Sequence, residues 1–576
     1  MNDRQLNRRP SMRIAVGTAL LAVPVGIAAA LAALAFLVLI GWVGQVAFGT
    51  TADPGQLSTI DPVRLMLITT LGGLLVGLVI TWVLGRGRRP RGPADVIAEA
   101  RGLQSRLTFR DGLGSAAASV LSIGVGASVG RYGPAVHLGA TLGAFIGRAL
   151  TLSNVRHRML IAAGAAAAIA ASFNAPLGGV LFAHEVILGS FGLRAVTPVV
   201  IGSVVGVAST RWFSGDVSLF ALPNQQIAHI YEYPLFALVG ILGGYGAIAF
   251  MRVLSRAQSL GATLSGPLWV RTAVGGGLLG MIALSFPQIL GLGEGTIGAA
   301  INGEFALQML IALAVVKMIA TSISLGAGLW GGILGPALFI GAMLGAAVGT
   351  GLSDQFPNEL SDTAVYALAG MGAVISRVIG GPITTIVLVF ELTQSYSVTS
   401  AVMVAVVVAS LIPSRRFAGS YFEYQLGEQG VDLAVGGEVA RLRQHPLSAV
   451  LSTEFLAISA DTSVGEARAR VSQYRETDIY LVDDRGRLVG ALSAGQLLDA
   501  PGAMTVSELP HDVAVVLHAD MTVDEAMVAL SDFVGVSVPV VETREGSRLI
   551  GILHENALFT AYRDAVEEEG RARALD

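Results

Sequence analysis

GRYGPAVHLGATLGAFIG, residues 130–147, is nearly repeated by GILGPALFIGAMLGAAVG, residues 332–349. At an offset of 202 (332 minus 130), Gly130 matches Gly332, Gly133–Pro134–Ala135 matches Gly335–Pro336–Ala337, and Gly139–Ala140 matches Gly341–Ala342. Leu142–Gly143–Ala144 and Gly147 return in the same register as Leu344–Gly345–Ala346 and Gly349. A second echo runs at 206 (370 minus 164): Gly164, Pro176 and Glu185 recur as Gly370, Pro382 and Glu391. Two homologous halves in an apolar chain predict a transporter or channel with its site at the interface between the repeats.

The Gly-x-x-Gly-Pro pattern has a physical reading. Proline fits the first turn of a helix, where its missing N–H costs nothing. The residues just before it carry free N–H groups at the positive end of the helix dipole. Glycine lets an ion approach that backbone closely. Two such helix starts, one from each half, can face one dehydrated anion without a fixed cation. Gly139, Gly143 and Gly147 read instead as close-packing positions between membrane helices.

Composition fits a membrane protein. Only 14% of the 576 residues are charged, against about 25% in soluble domains, and mean hydropathy is +0.67. Glycine accounts for 72 residues, a level suited to packed membrane helices. Cysteine is absent, which excludes disulfides, a thiol nucleophile and cysteine-based metal sites. The eight histidines form no HExxH-type cluster, and no nucleophile–base set suggests an enzyme or a cofactor. A net charge of −4 gives no reason to expect nucleic acid. Arg4, Arg8, Arg9 and Arg13 precede an apolar run at residues 14–36 that is too long for a signal peptide. It reads as a retained helix with its basic start on the cytoplasmic side, and Arg86, Arg88, Arg89 and Arg91 form a second cytoplasmic loop.

Apolar segments fill residues 14–48, 64–85, 112–150, 159–189, 195–212, 233–254, 271–290, 306–351, 364–394 and 398–413. Several exceed one bilayer crossing and hold internal Gly-Pro breaks, so tilted or broken helices are expected. From about residue 440 charged residues become frequent and short strand-like runs alternate with helical ones. IYLVDDRGRLVG (479–490) reads strand, tight turn, strand; VSVPVV (536–541), Gly546 and LIGIL (549–553) repeat it. SVGEA (463–467) and TVDEA (522–526) open the helix before each, giving two copies of a β-α-β-β-α unit.

GRYGP (130–134), FNAPLGGVLFAHE (173–185), SLGAGLWGGILGP (324–336) and GGPITTIVLVFELT (380–393) resemble the motifs of the CLC family of chloride channels and proton/chloride exchangers. The tail resembles a tandem pair of CBS domains, and the likeness covers residues 14–562. It implies an all-α polytopic membrane protein with the inverted-repeat CLC fold, plus a C-terminal α+β tandem CBS pair. The implied organisation is a cytoplasmic segment (1–13), a membrane domain of two inverted halves (14–425), a linker (426–445), two CBS domains (446–500 and 501–566) and a short tail (567–576). It also implies a homodimer with one anion pathway per subunit, in a bacterial-type inner membrane, both termini cytoplasmic. The tandem CBS pair implies a role in dimer stability or gating.

Carried over residue by residue, the resemblance exposes departures. The family pattern Gly-Arg-Glu-Gly-Pro, whose glutamate is gate and proton acceptor, reads Gly130–Arg131–Tyr132–Gly133–Pro134 here. The second, internal proton glutamate of coupled members falls on Val186, directly after Glu185. Gly-Ile-Phe-Gly/Ala-Pro becomes Gly332–Ile333–Leu334–Gly335–Pro336. The serine-bearing Gly-Ile/Val-Pro-Glu motif becomes Arg91–Gly92–Pro93–Ala94–Asp95, and the pore-facing tyrosine aligns with Phe422, between Tyr421 and Tyr424. The implied anion-binding and gating set is therefore Arg131, Tyr132, Gly133, Ile333, Leu334, Gly335, Arg91 and Phe422.

Tyrosine has a reference pKa of about 10 and stays neutral near pH 7. Tyr132 can donate a hydrogen bond to an anion but cannot shuttle protons by turnover; alternatively its ring plugs the pathway. Glu185 and Glu391 occupy matching places and read as partners of helix ends or polar groups. His184 and Glu185 remain the candidates for a rebuilt proton route, histidine being the type that titrates near neutrality. Lys317 either biases the pore toward anions or pairs with a carboxylate. Arg91 either concentrates anions at the cytoplasmic mouth or is a solvated loop residue. In the tail, the ribose-binding aspartate of nucleotide-binding CBS pairs is replaced by Gln496 and Ala557, and only Ser493 keeps the hydroxyl. Nucleotide binding is not expected.

These residues predict passive, uncoupled transport of an inorganic, chloride-like anion. The alternatives are a proton-coupled exchanger with a rebuilt route, or a CBS-gated membrane sensor.

Overall fold

The computed structural model describes residues 12–49, 60–85, 89–103, 107–215, 226–356, 359–417, 419–431, 446–472, 478–511, 513, 515–530, 533, 537–543, 547–554 and 556–561. Arg4, Arg8, Arg9, Arg86, Arg88, Gly546, most of the 426–445 linker and the 567–576 tail lie outside them. The chain divides into two compact units, one ending at Val431 and the other starting at Asp432.

The first half of the larger unit runs α1 (Met12–Phe48), α2 (Pro62–Val83), α3 (Pro93–Ala100), α4 (Phe109–Gly124), α5 (Tyr132–Ala149), α6 (Asn154–Phe173), α7 (Pro176–Phe182) and α8 (Leu193–Ser214). The second half retraces this order with α9 (Tyr233–Thr263), α10 (Leu268–Ala283), α11 (Glu294–Ile301), α12 (Leu307–Ala327), α13 (Leu334–Ser353), α14 (Thr363–Ile379), α15 (Pro382–Thr393) and α16 (Tyr396–Leu411). Helix α17 (Tyr421–Gly427) follows. Each helix of the first half thus has its counterpart eight helices later, the short α3 and α11 included. Among the described residues, six helices are long and apolar enough to cross a membrane.

The expected breaks fall where a left-handed residue precedes a proline. Helix α6 stops at Asn174 (φ 54°) and α7 restarts at Pro176; α14 stops at Gly380 (φ 71°) and α15 restarts at Pro382. A left-handed residue ends a helix, and proline is tolerated at the start of the next. After α7, residues Ala183–Leu188 continue as a π-helical turn.

Packing obeys the small-residue rule for helices in lipid. Helix α6 is buried all round through its alanine-rich stretch and lies against α5, as α14 lies against α13. A Cβ added at Gly139 would stand 2.5 Å from the Gly164 carbonyl oxygen, and Gly341 meets Gly370 in the same way. Helices α7 and α15 pack on each other, and α5 and α13 touch near their N-termini. There Gly130 N–H donates to Gly332 O at 2.7 Å and Gly332 N–H donates to Gly130 O at 2.6 Å. This reciprocal antiparallel bridge ties the two inverted halves together. Neither position can take a side chain: a Cβ on Gly130 would lie 2.8 Å from Gly335 N, and one on Gly332 2.9 Å from Gly133 N.

The smaller unit holds two three-stranded sheets. The first is β1 (Ala457–Ser459) parallel to β2 (Asp478–Val482), which is antiparallel to β3 (Leu488–Ser493), with α18 (Val464–Val471) and α19 (Ala494–Asp499). The second repeats the order with β4 (Leu517–His518), α20 (Val523–Ala529), β5 (Ser537–Val541) and β6 (Leu549–His554), followed by a helical stretch at residues 556–561. Each copy has its own apolar core, and Tyr480, Leu549 and Ile552 pack between them. The tight turn after β2 is held by Asp483. Its carboxylate accepts the Arg487 and Arg485 backbone N–H groups and pairs with the Arg487 guanidinium, contacts that keep its pKa below the usual carboxylate range.

Candidate functional site

The bridge between Gly130 and Gly332 brings two helix N-termini face to face. Neither preceding residue, Arg131 or Ile333, caps its helix with a side chain. The first-turn amides, among them those of Tyr132, Gly133, Leu334 and Gly335, have no intrahelical acceptors and lie at the positive dipole ends. Around these ends is a cavity of about 40 Å³, room for a few water-sized occupants and too little for an organic substrate. Of the residues expected from sequence, Tyr132, Gly133, Ile333, Leu334 and Phe422 come together in its wall. Arg131 and Gly335 adjoin them in the chain but lie outside the lining.

Phe422 enters from α17. The flanking hydroxyls are engaged: Tyr421 O–H donates to Gln258 Oε1 at 2.6 Å, and Tyr424 O–H accepts from Arg416 at 2.9 Å. Gly92 and the start of α3 (Pro93, Ala94 and Asp95) line the wall, the Asp95 carboxylate accepting the Gly92 N–H at 2.9 Å, with the Trp330 ring 3.7 Å from where a Gly92 Cβ would be. Arg91 does not line the cavity. Its backbone N–H donates to Ser115 Oγ at 2.8 Å, and its guanidinium pairs with Asp111 at 3.6 Å. Arg89 lines the cavity instead, and also a wider vestibule shared with Gln258, Leu325, Trp330 and Gln425. That vestibule adds Arg271 and Glu428, and Arg89 pairs with Asp95 of the cavity wall at 3.5 Å.

Tyr132 lines the cavity and is buried. Its residue is 2% exposed, and its ring is stacked on Phe173 with centroids 4.1 Å apart. The hydroxyl points out of the cavity and donates to Glu294 Oε1 at 3.1 Å, while Arg131 Nε pairs with the same oxygen at 3.0 Å. Sequence reasoning passed over Glu294. The signal was available: Glu294 follows Pro93 by 201 positions, so it opens the repeat counterpart of the α3 helix that lines the cavity.

Lys317, fully buried, pairs with backbone carbonyls and not with a carboxylate among the described residues. Its Nζ donates to the carbonyls of Ile289 (2.8 Å) and Gly291 (3.1 Å) and lies 4.9 Å from the Phe339 ring centroid. It clamps the loop that ends at Gly293 and delivers Glu294.

The matched glutamates exchange places. Glu185 accepts from Ile383 N–H (3.0 Å), Thr384 N–H (2.6 Å) and the Thr384 hydroxyl (2.6 Å) at the start of α15. Glu391, on α15, accepts from Leu177 N–H (2.9 Å) and Gly178 N–H (2.7 Å) at the start of α7. Each caps the other's helix end. His184 sits on the π turn with Nδ1 3.0 Å from Ser190 O; its buried Nε2 has no hydrogen-bond partner among the described residues. Neither His184 nor Glu185 lines the cavity.

In the tail, Ser493 and Gln496 form a capping box at the start of α19, and Gln496 Nε2 donates to Pro510 O at 3.1 Å. The side chain at the ribose-binding position is occupied within the protein.

The voltage-gated chloride channel family model matches residues 72–414, 343 of the 576 residues. The chain belongs to that family. The CBS domain model matches residues 447–502 and 506–564. This CLC chain is 28% identical over 403 residues to the voltage-gated ClC-type chloride channel ClcB of Escherichia coli, covering 68% of this chain and 94% of that one. It is 32% identical over 298 residues to the H+/Cl− exchange transporter ClcA of Yersinia pestis, covering 50% and 62%. Its fold matches the crystal structure of a slow cyanobacterial Cl−/H+ antiporter with a TM-score of 0.64, at 24% identity over 72% of this chain and 97% of that one. The chain is a multi-pass membrane protein of CLC type with a tandem CBS pair.

Proposed function

We propose that this CLC-family anion transport protein carries a small inorganic, chloride-like anion passively, without stoichiometric proton movement. The observation that carries the reading is Tyr132. A phenol stands where a titrating carboxylate would be needed, stacked on Phe173 in the wall of a cavity lined by opposed helix N-termini. The second carboxylate position is Val186, and the adjacent Glu185 is committed to the α15 helix end. Binding rests on the backbone amides near Arg131–Tyr132 and Ile333–Leu334, since Phe422 offers no hydroxyl and Arg91, near the serine position, does not line the cavity. The family resemblance implies a homodimer, and one pathway per subunit is expected because each chain holds both halves of a site.

An exchanger reading is favoured by one observation, the unpartnered Nε2 of His184 beside Val186. The same experiment separates the two: purified protein in sealed liposomes, with anion and proton fluxes recorded together. Anion flux without proton pumping supports passive transport; uphill proton movement driven by an anion gradient supports the exchanger.

A further inference from the structure

The tyrosine in the cavity wall is held from outside it. Tyr132 lines the cavity with its ring, yet its hydroxyl reaches Glu294, which does not line it and whose side chain is 29% exposed. The ring therefore stands between the cavity and a partly exposed carboxylate. We propose that Arg131, Glu294 and Tyr132 form a lock in which the Glu294 carboxylate, supplied by the second half of the chain, holds the Tyr132 ring shut across the anion path.

Three observations build the lock. One carboxylate oxygen accepts the Tyr132 hydroxyl at 3.1 Å and forms an ion pair with the Arg131 guanidinium, whose Nε lies 3.0 Å away and whose central carbon lies 5.1 Å from the Tyr132 ring centroid. The ring is sandwiched in place by Phe173 on α6. The loop that presents Glu294 is pinned by Lys317 through two carbonyls, and Gly293 just ahead of it packs against Phe339. The repeat relates the two contributions: the start of α3 lines the cavity at Gly92–Pro93, and its repeat counterpart α11 begins at Glu294. Glu294 touches the reacting path only through Tyr132, so it is a positioning residue. Opening requires the ring to leave Phe173 and the hydroxyl to leave Glu294, and a hydrogen bond to a charged group weighs about one to two powers of ten in an equilibrium.

This lock rests on the reading that residue 132 lies on the anion path, and the test keeps the two apart. Anion efflux is measured from liposomes holding the full-length chain with Glu294→Gln, Tyr132→Phe, Tyr132→Ala and the pair Glu294→Gln/Tyr132→Ala. Glu294→Gln is expected to raise flux roughly tenfold, and Tyr132→Phe, which breaks the same hydrogen bond without changing charge, raises it as well. Once Tyr132→Ala has removed the ring, Glu294→Gln has no further effect, a non-additivity that a general loss of packing would not produce. If Glu294→Gln multiplies flux equally with and without the ring, the carboxylate acts by its charge alone and the lock is wrong. If neither Tyr132→Ala nor Tyr132→Phe alters a measurable parent flux, residue 132 is off the path and the transport reading of the site falls with it.

Discussion

Tyr132 replaces a titrating carboxylate with a phenol, so residue 132 itself adds no pH dependence to the flux over the range where carboxylates titrate. Tyr132→Glu is expected to restore that dependence. The ionised carboxylate competes with the anion and blocks; protonation, in the acid range of a glutamate, removes the competitor, so flux rises as pH falls. Efflux from liposomes at pH 4 to 8 checks this, and a variant whose pH profile matches its parent's would count against residue 132 facing the route. Tyr132, Gly133, Ile333 and Leu334 were legible in the sequence because the repeat and its Gly-Pro breaks mark helix starts, whereas Phe422 came only from the family resemblance. Glu294 was not, because a lone glutamate after Gly293 carries no motif; only counting the repeat out to the short helices would have exposed it. Arg91 looked like an anion attractor by charge, but charge does not reveal direction, and Asp111 and Ser115 turn it away from the cavity.

At the scale of elements, two exchanges hold the halves in register: the Gly130–Gly332 bridge and the swapped caps of Glu185 and Glu391. Replacing Glu391 by Gln turns one acceptor into a donor facing the Leu177 and Gly178 amides. The expected cost is about 1–3 kcal/mol, read as a lower thermal midpoint in detergent, with Glu185→Gln costing a similar amount. Lys317→Met removes the donor from two buried carbonyls and loosens the loop that carries Glu294. It is expected to destabilise by about 2–5 kcal/mol and also to raise anion flux, whereas a stable variant with parental flux would show that the loop holds itself. The glutamate exchange could be read as a helix-end role from the matched positions 185 and 391, since a carboxylate at membrane depth must find donors. The crossing of partners could not, because sequence spacing alone does not say which helix end each carboxylate reaches.

At the scale of the whole molecule, the chain joins an inverted-repeat transport unit to a tandem CBS pair. The pair was legible from its repeated strand–turn–strand pattern, and the capping role of Gln496 adds a reason to expect a poor nucleotide site. Titration calorimetry of the full chain with ATP, ADP and AMP is expected to show no micromolar binding; an affinity of that order, about 8 kcal/mol, would make the tail a nucleotide reader and favour a sensing role. The central claim concerns coupling. It is tested most directly by loading sealed liposomes with the purified chain, imposing a chloride gradient, and recording chloride and proton movement together. The account predicts chloride flux with no uphill proton movement. Protons pumped in fixed ratio to chloride would contradict it.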